Sequence, residues 1–220
     1  MRPLRILVTA GPTREYIDPV RFISNDSSGK MGFAIAAAAA QRGHAVTLIH
    51  GPVALPAPPA VSVVSVISAR DMLRACVEHW PRYDALIMAA AVADYTPAAH
   101  SDEKLKKTGD EMTLKLAPTA DVLATLSKNR DARQTVIGFA LESHNGRANA
   151  ASKLTRKNLD AIVLNHPAAI GVDRSVVEIL TRDGVWNPLP DAPKDETAVR
   201  IVELAESIAA GRLAAPSESR

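Results

Sequence analysis

Six short apolar runs limit what this chain can become: RILVTA at 5–10, HAVTLIHG at 44–51, VSVVSVI at 61–67, DALIMAAAVA at 84–93, TVIGFAL at 135–141 and AIVLN at 161–165. Runs of this length that stay apolar instead of alternating read as strands covered on both faces. Helical segments lie between them. The first is the alanine-rich stretch that ends at Arg42-Gly43, where glycine suits a left-handed C-terminal cap. Parallel neighbours need a crossover, and a helix is the usual one. The order strand, helix, strand therefore predicts an α/β, Rossmann-like fold, with a mostly parallel sheet and helices on both faces.

The remaining segments fit around that sheet. SARDMLRACVEHW at 68–80 carries Ser68 as a cap and places Met72, Leu73, Cys76, Val77 and Trp80 on one helical face. TADVLATLSKN at 119–129 and GRANAASKLTRKNL at 146–159 read as helices between the last three strands. SVVEILTRDGVWNPL at 175–189 is a hairpin pattern around Asp183-Gly184, and 194–213 closes the chain as an amphipathic helix. One domain over 1–213 is expected, with 214–220 as a frayed tail. The single cysteine, Cys76, excludes an internal disulfide and fits a reducing compartment, the cytoplasm. A net charge of +2 gives no global field for nucleic acid or an acidic membrane, and the apolar run before Gly11 is too short to span a bilayer.

In open parallel sheets, ligands bind outside the carboxyl ends of the strands where the winding reverses, which directs attention to the loops after the first and fourth runs. The first loop, GPTREYIDPVRFISNDSSGKMG at 11–32, is far longer than an ordinary α/β connection. Its Asn, Asp and Ser residues before the helix read in two ways. They are either an N-cap, or the rim of an anion site in which the N–H groups of Ser27, Ser28 and Gly29 face a ligand and Gly29 and Gly32 leave room for it. The second loop, AAAVADYTPAAHSDEKLKK at 89–107, places Asp94 just past a strand and Lys104, Lys106 and Lys107 on a polar segment. Asp94 is open between a turn residue and a nucleotide contact, and the lysines between a solvated face and a phosphate-directed flap. Lys153 and Lys157 fall one helical turn apart, again on a solvated face or at a ligand. No P-loop spacing and no G-x-G-x-x-G is present, and the second run ends in Ile49-His50-Gly51 without an acidic residue for a ribose. An NAD(P)-dependent oxidoreductase thus fits the topology without its signatures. The histidines show no zinc-like spacing.

Several blocks occur together: TAGPTRE and DPVRFISNDSSGKMG, then AAAVADY with EKLKK, then IGFALE and KLTRKNLDAIVLN. From Ile6 to Asn165 they resemble, in order, the phosphopantothenoylcysteine synthetase (phosphopantothenate–cysteine ligase) family of coenzyme A biosynthesis. In many bacteria that domain is fused behind a flavin-dependent decarboxylase, so the chain is either a stand-alone synthetase or half of such a protein. The resemblance implies ligation of 4′-phosphopantothenate and L-cysteine through an acyl-cytidylate made from CTP, with release of pyrophosphate and CMP. The bacterial look of the ISNDSSGKMG and KLKK blocks favours CTP over ATP, and Mg²⁺ is expected to be held mainly by the nucleotide phosphates. Asn25 should contact the activated acyl group, with its amide as donor, and Lys104 should close over the phosphates. Nucleotide positions carried over are Met88, Ala89, Ala90, Asp94, Ala120, Asp121, Val122, Leu123, Phe139, Lys153 and Lys157; relatives more often have proline at Ala120. Gly11, Ser27, Gly29 and Gly32 form the implied phosphate cradle, and Asn25, Ala90 and Ala91 the substrate contacts. The resemblance also implies a homodimer, and the hairpin at 175–189 is a candidate source of contacts because a lone hairpin needs a packing partner. No nucleic-acid or membrane partner is expected, and a nucleotide-binding module without catalysis is the remaining alternative.

Overall fold

Strand β1 (Arg5–Ala10) is buried at every position after Arg5, and its side chains divide between two cores. Ile6, Val8 and Ala10 enter one core and Leu7 the other, as the alternation of a strand requires. The computed structural model describes residues 2–107, 109 and 111–214. In chain order β1 is followed by β2 (Arg14–Tyr16), β3 (Phe22–Ser24), α1 (Lys30–Gln41), β4 (Ala45–His50), β5 (Val61–Ser65) and α2 (Ala69–His79). Then come β6 (Ala85–Met88), β7 (Tyr95–Pro97), β8 (Leu116–Pro118), α3 (Val122–Lys128), β9 (Thr135–Leu141), α4 (Gly146–Arg156) and β10 (Ala161–Asn165). β11 (Arg174–Ser175), β12 (Glu178–Thr181), β13 (Trp186–Pro188), β14 (Ala192–Pro193) and α5 (Lys194–Ala214) complete the fold.

The main sheet has the order β13-β12-β10-β9-β6-β1-β4-β5, and every pairing from β10 to β5 is parallel. Winding reverses at β1, which is flanked by β4 on one side and β6 on the other. Helices α1 and α5 cover one face, while α2, α3 and α4 cover the other. This is the α/β, mostly parallel fold that the apolar runs predict. Ser68 caps α2 with a full capping box: its side chain accepts from the Asp71 N–H, and the Asp71 carboxylate accepts from the Ser68 N–H. Gly43 adopts φ +85 just past α1, as its place after Arg42 predicts.

Several boundaries differ from the sequence expectation, each for a local reason. The run at 84–93 is a strand only to Met88, because the chain beyond leaves β9 and follows the loop after β1. The helix expected from 119 starts at Val122, since Thr119 is held by Asp94 and Ala93 instead. The helix expected to 159 stops at Arg156 because Asn158 turns left-handed at φ +50. The hairpin at 175–189 forms, but it is not isolated: β12 pairs antiparallel with β10 and extends the main sheet. The packing argument that assigned dimer contacts to it therefore falls away. Two small sheets inside the long loops, β2-β3 and β7-β8, carry no sequence period because their strands are three residues long. The tail read at 214–220 lies outside the described residues apart from Ala214, the last residue of α5.

The chain after β4 crosses the chain after β1 so closely that a Cβ on Gly51 would stand 1.6 Å from the Pro12 carbonyl oxygen. Backbone cannot yield as a side chain does, so Gly51→Ala should cost about 3 kcal/mol or more in urea unfolding, the upper range for overpacking. Gly43→Ala, with nothing within 4 Å of the new methyl but φ at +85, should cost only about 1–2 kcal/mol. Equal losses would contradict the close crossing.

Candidate functional site

The chain leaving β6 stays attached to the chain leaving β1. The Ala90 N–H donates to Thr9 Oγ1 at 3.2 Å, the Ala91 N–H to the Gly11 carbonyl at 2.9 Å and the Ala93 N–H to Thr13 Oγ1 at 3.0 Å. Asn25 closes the same seam from the other side, donating from Nδ2 to the carbonyls of Ala91 and Val92, both at 3.1 Å. Both amide hydrogens are thus engaged, and Oδ1, an acceptor, is the polar atom left for a ligand.

Beside this seam lies a cleft of about 260 Å³. Met88, Ala90, Asp94, Ala120, Asp121, Val122, Leu123, Phe139, Lys153 and Lys157, all named from the sequence, line it together with Val92, Ala93 and Thr119. Thr119 holds one wall in place, donating from Oγ1 to the Ala93 carbonyl at 2.6 Å and from N–H to the Asp94 carbonyl at 2.9 Å. Apolar side chains and two lysines both contribute to its lining. Lys153 donates to the Phe139 carbonyl at 2.7 Å, and Lys157 pairs with Asp121 at 2.6 Å. Burial, and then the neighbouring Lys157 ammonium, push Lys153 below the ordinary lysine range. Burial works to raise Asp121, but hydrogen bonds from Lys157 and the Ala124 N–H outweigh it and leave its carboxyl below the usual range. A cleft that combines apolar side chains such as Met88, Leu123 and Phe139 with two lysines, past the carboxyl ends of parallel strands, has the chemistry to hold a base and its phosphates.

The remaining predicted residues lie outside the cleft lining. Gly11 and Gly29, at φ +74 and +75, bring the loop and the start of α1 together: a Cβ on Gly29 would be 3.4 Å from the Gly11 Cα. Gly32 packs α1 on β1, where a Cβ would stand 2.4 Å from that of Ala10. Gly29 is the N-cap of α1, and no side chain caps that helix. The nearest candidate is Ser27 Oγ, 3.4 Å from the Gly29 N–H. The bland reading of the Asn-Asp-Ser-Ser stretch, a side-chain cap, is therefore not what forms, and the first N–H groups of α1 have no side-chain acceptor. Ala89 and Ala91 continue the seam. Lys104 is exposed, and among the described residues no hydrogen bond or ion pair joins it to the cleft. No group of three or more His, Cys, Asp or Glu converges as a metal site among the described residues, and no helix there is long and apolar enough to cross a membrane. Among the described residues Asp94, exposed at the cleft, is the carboxylate there that no ion pair engages, so the donor set fits a cation held largely by a ligand's own oxygens. The threonines at 9, 13 and 119 were missed in the sequence because an isolated hydroxyl carries no pattern.

Residues 1–208 match the DNA/pantothenate metabolism flavoprotein C-terminal domain family. The chain is 46% identical over 191 residues to the coenzyme A biosynthesis bifunctional protein CoaBC of Escherichia coli (strain K12), covering 84% of this chain and 47% of that protein. It is 45% identical over 203 residues to a protein of an unknown prokaryotic organism named cysteine/cysteine sulfinic acid decarboxylase, covering 90% of this chain and 56% of that one. The chain thus spans about half the length of the curated relatives it matches. A crystal structure of the C-terminal domain of CoaBC superposes with a TM-score of 0.83 at 40% identity, covering 96% of this chain and 98% of that one.

The two helix starts make a paired test. Ser68→Ala should lower stability by about 1 kcal/mol, the usual loss of a cap, whereas Ser27→Ala should change it by less than about 0.5 kcal/mol. Equal losses would restore Ser27 to a capping role.

Proposed function

The chain belongs to the DNA/pantothenate metabolism flavoprotein C-terminal domain family, and on that premise we propose that it is a phosphopantothenate–cysteine ligase that uses CTP. One observation carries the reading: a cleft with a mainly polar surface, lined by Lys153 and Lys157 together with Met88, Leu123 and Phe139, opens past the carboxyl ends of β6 and β9 and shares Ala90 and Ala93 with the seam. The 4′-phosphopantothenate carboxylate attacks the α-phosphorus of CTP, forming a C–O–P link as pyrophosphate leaves. The amine of L-cysteine then attacks the acyl carbon, forming the amide, losing a proton and releasing CMP.

A carboxylate is ionised near neutrality, so the first step needs charge neutralisation and alignment more than a base. Lys153 and Lys157 supply fixed positive charge, the N–H groups at the start of α1 face the phosphates, and Lys104 arrives from the exposed segment. Gly11, Ser27, Gly29 and Gly32 shape that cradle, Met88 to Ala90 with Ala120 to Leu123 and Phe139 hold the nucleoside, and Ala90 and Ala91 border the acyl group. Mg²⁺, when bound, supplies further neutralisation of phosphate charge, with Asp94 as the carboxylate within reach. Asn25 holds the seam through Nδ2 and presents Oδ1 toward the acyl group or the incoming amine. For its nitrogen to donate to an acyl oxygen, one of the two seam bonds must be exchanged.

The oxidoreductase alternative is not favoured. Where a dinucleotide ribose would need an acid, β4 ends in His50, whose ring is bonded to the Gly51 carbonyl at 2.7 Å and to Ser65 Oγ at 3.1 Å. A cytoplasmic setting fits the buried, unpaired Cys76. The expected homodimer is placed by this reading on β2-β3 and β7-β8, which pack together and expose Val20, Phe22, Tyr95 and Leu116. A decarboxylase as functional partner is what the family resemblance implies, and the bifunctional Escherichia coli relative is in keeping with it.

Single-turnover measurements separate the parts. Lys104→Gln should slow pyrophosphate release without cysteine by roughly a hundredfold, the scale of losing one electrostatic stabiliser, with an unchanged melting temperature. Asn25→Ala should keep CTP affinity yet lose CMP release in the presence of cysteine. Pyrophosphate release and CMP formation at wild-type rates in both variants would sink the assignment. Light scattering should give a dimer for the wild type and a monomer for Phe22→Asp.

A further inference from the structure

Asp18 has 0% exposure, yet it does not line the cleft. A buried carboxylate persists only where donors surround it. Here Oδ1 accepts from the N–H groups of Val20 at 2.9 Å and Arg21 at 2.8 Å. Oδ2 accepts from Arg21 Nε at 2.9 Å, from Arg21 Nη2 and from the Leu105 N–H at 3.2 Å. Arg21 Nη2 also donates to the Leu105 carbonyl at 2.8 Å. The Arg21 guanidinium, with these backbone donors, holds the Asp18 carboxyl well below the usual carboxylate range.

Both backbone groups of Leu105 are thus held by the loop after β1, although 87 residues separate Asp18 from Leu105. Among the described residues from 102 to 107, the remaining hydrogen bonds are local ones between Ser101 and Glu103. Lys104 directly precedes the anchored residue, and Asn25 follows Arg21 by four positions along β3. Together with the Ser101 N–H, which donates to the Ile17 carbonyl at 3.0 Å, this ion pair registers the Asn25 segment and the Lys104 segment against each other.

We propose that Asp18 is a positioning residue for the ligation: with Arg21 it fixes the backbone beside Lys104 to the loop after β1 and so sets where the Lys104 ammonium can reach. The inference rests on the reading that Lys104 meets the nucleotide phosphates. A lysine on a wandering segment loses the alignment on which in-line displacement depends. An apolar side chain could fill the same buried position with less desolvation, so a carboxylate here is explained by what it holds.

The test uses mobility and kinetics together. A spin label on Lys106→Cys reports the segment, because Cys76 is buried, with its thiol pushed up to about 12 by that burial, and stays unlabelled. Asp18→Asn should mobilise the label and slow pyrophosphate release roughly tenfold to a hundredfold while CTP affinity holds. Added to Lys104→Gln, it should cause no further loss. Arg21→Gln, which removes the guanidinium from Asp18 and from the Leu105 carbonyl and leaves Asp18 its three backbone donors, should reproduce the pattern if Asp18→Asn fails to fold. An immobile label in the variants overturns the anchor. An equal loss of turnover in the Lys104→Gln background means that Asp18 acts on the fold and overturns the positioning role. Full turnover of Lys104→Gln itself refutes the reading beneath the proposal, and the label still shows whether the anchor exists.

Discussion

Thr9 and Thr13 accept hydrogen bonds from Ala90 and Ala93, so the chains leaving β1 and β6 run together beyond the end of the sheet. Parallel strands normally diverge into their own loops at that point. Here the shared seam forms a wall at the winding reversal, and its Ala90 and Ala93 also line the cleft. Asn25 binds to that wall, and Thr119 brings the segment before α3 against it. The close approach of Gly51 to Pro12 holds the loop after β1 from behind. Loss of the seam would leave lysines, glycines and Asn25 in place in the sequence but not around one space.

Net charge says little about such a site. The chain carries only two more basic than acidic side chains, 26 against 24, yet Lys153 and Lys157 both line one cleft. Their cost is visible in the structure. Lys153 is driven below its ordinary range by burial and by its neighbour, and Lys157 is stabilised by Asp121 at 2.6 Å. A polyanionic ligand would relieve the repulsion between the two ammonium groups and strengthen each interaction in the cleft. The uncapped α1 follows the same logic, since donors without side-chain partners are what an anion completes.

The parallel sheet was legible because buried strands leave long apolar runs, and the start of α2 because Ser68 stands where a cap is needed; the reciprocal bond from Asp71 came only with the structure. The short sheets β2-β3 and β7-β8 were not legible, since three residues cannot show a period. The truncation of the strand at Met88 was hidden for a different reason: Ala89 to Ala93 are as apolar as a strand, and hydroxyls, carbonyls and the Asn25 amide of a distant segment draw them away. Family resemblance located the cleft-lining lysines and Phe139, which composition alone would leave on a solvated helix and in a core strand. It said nothing of Asp18, whose partners at Arg21 and Leu105 come together only in three dimensions.

Amide hydrogen exchange with and without CTP and Mg²⁺ tests the central claim most directly, because it reports where the ligand sits without requiring turnover. The account predicts slowed exchange at 27–33, where α1 begins, and at 119–124 along the cleft wall, with no change at 178–188 on the far edge of the sheet. Protection confined to the end of β4 around His50 and Gly51, or absent from both 27–33 and 119–124, would contradict it.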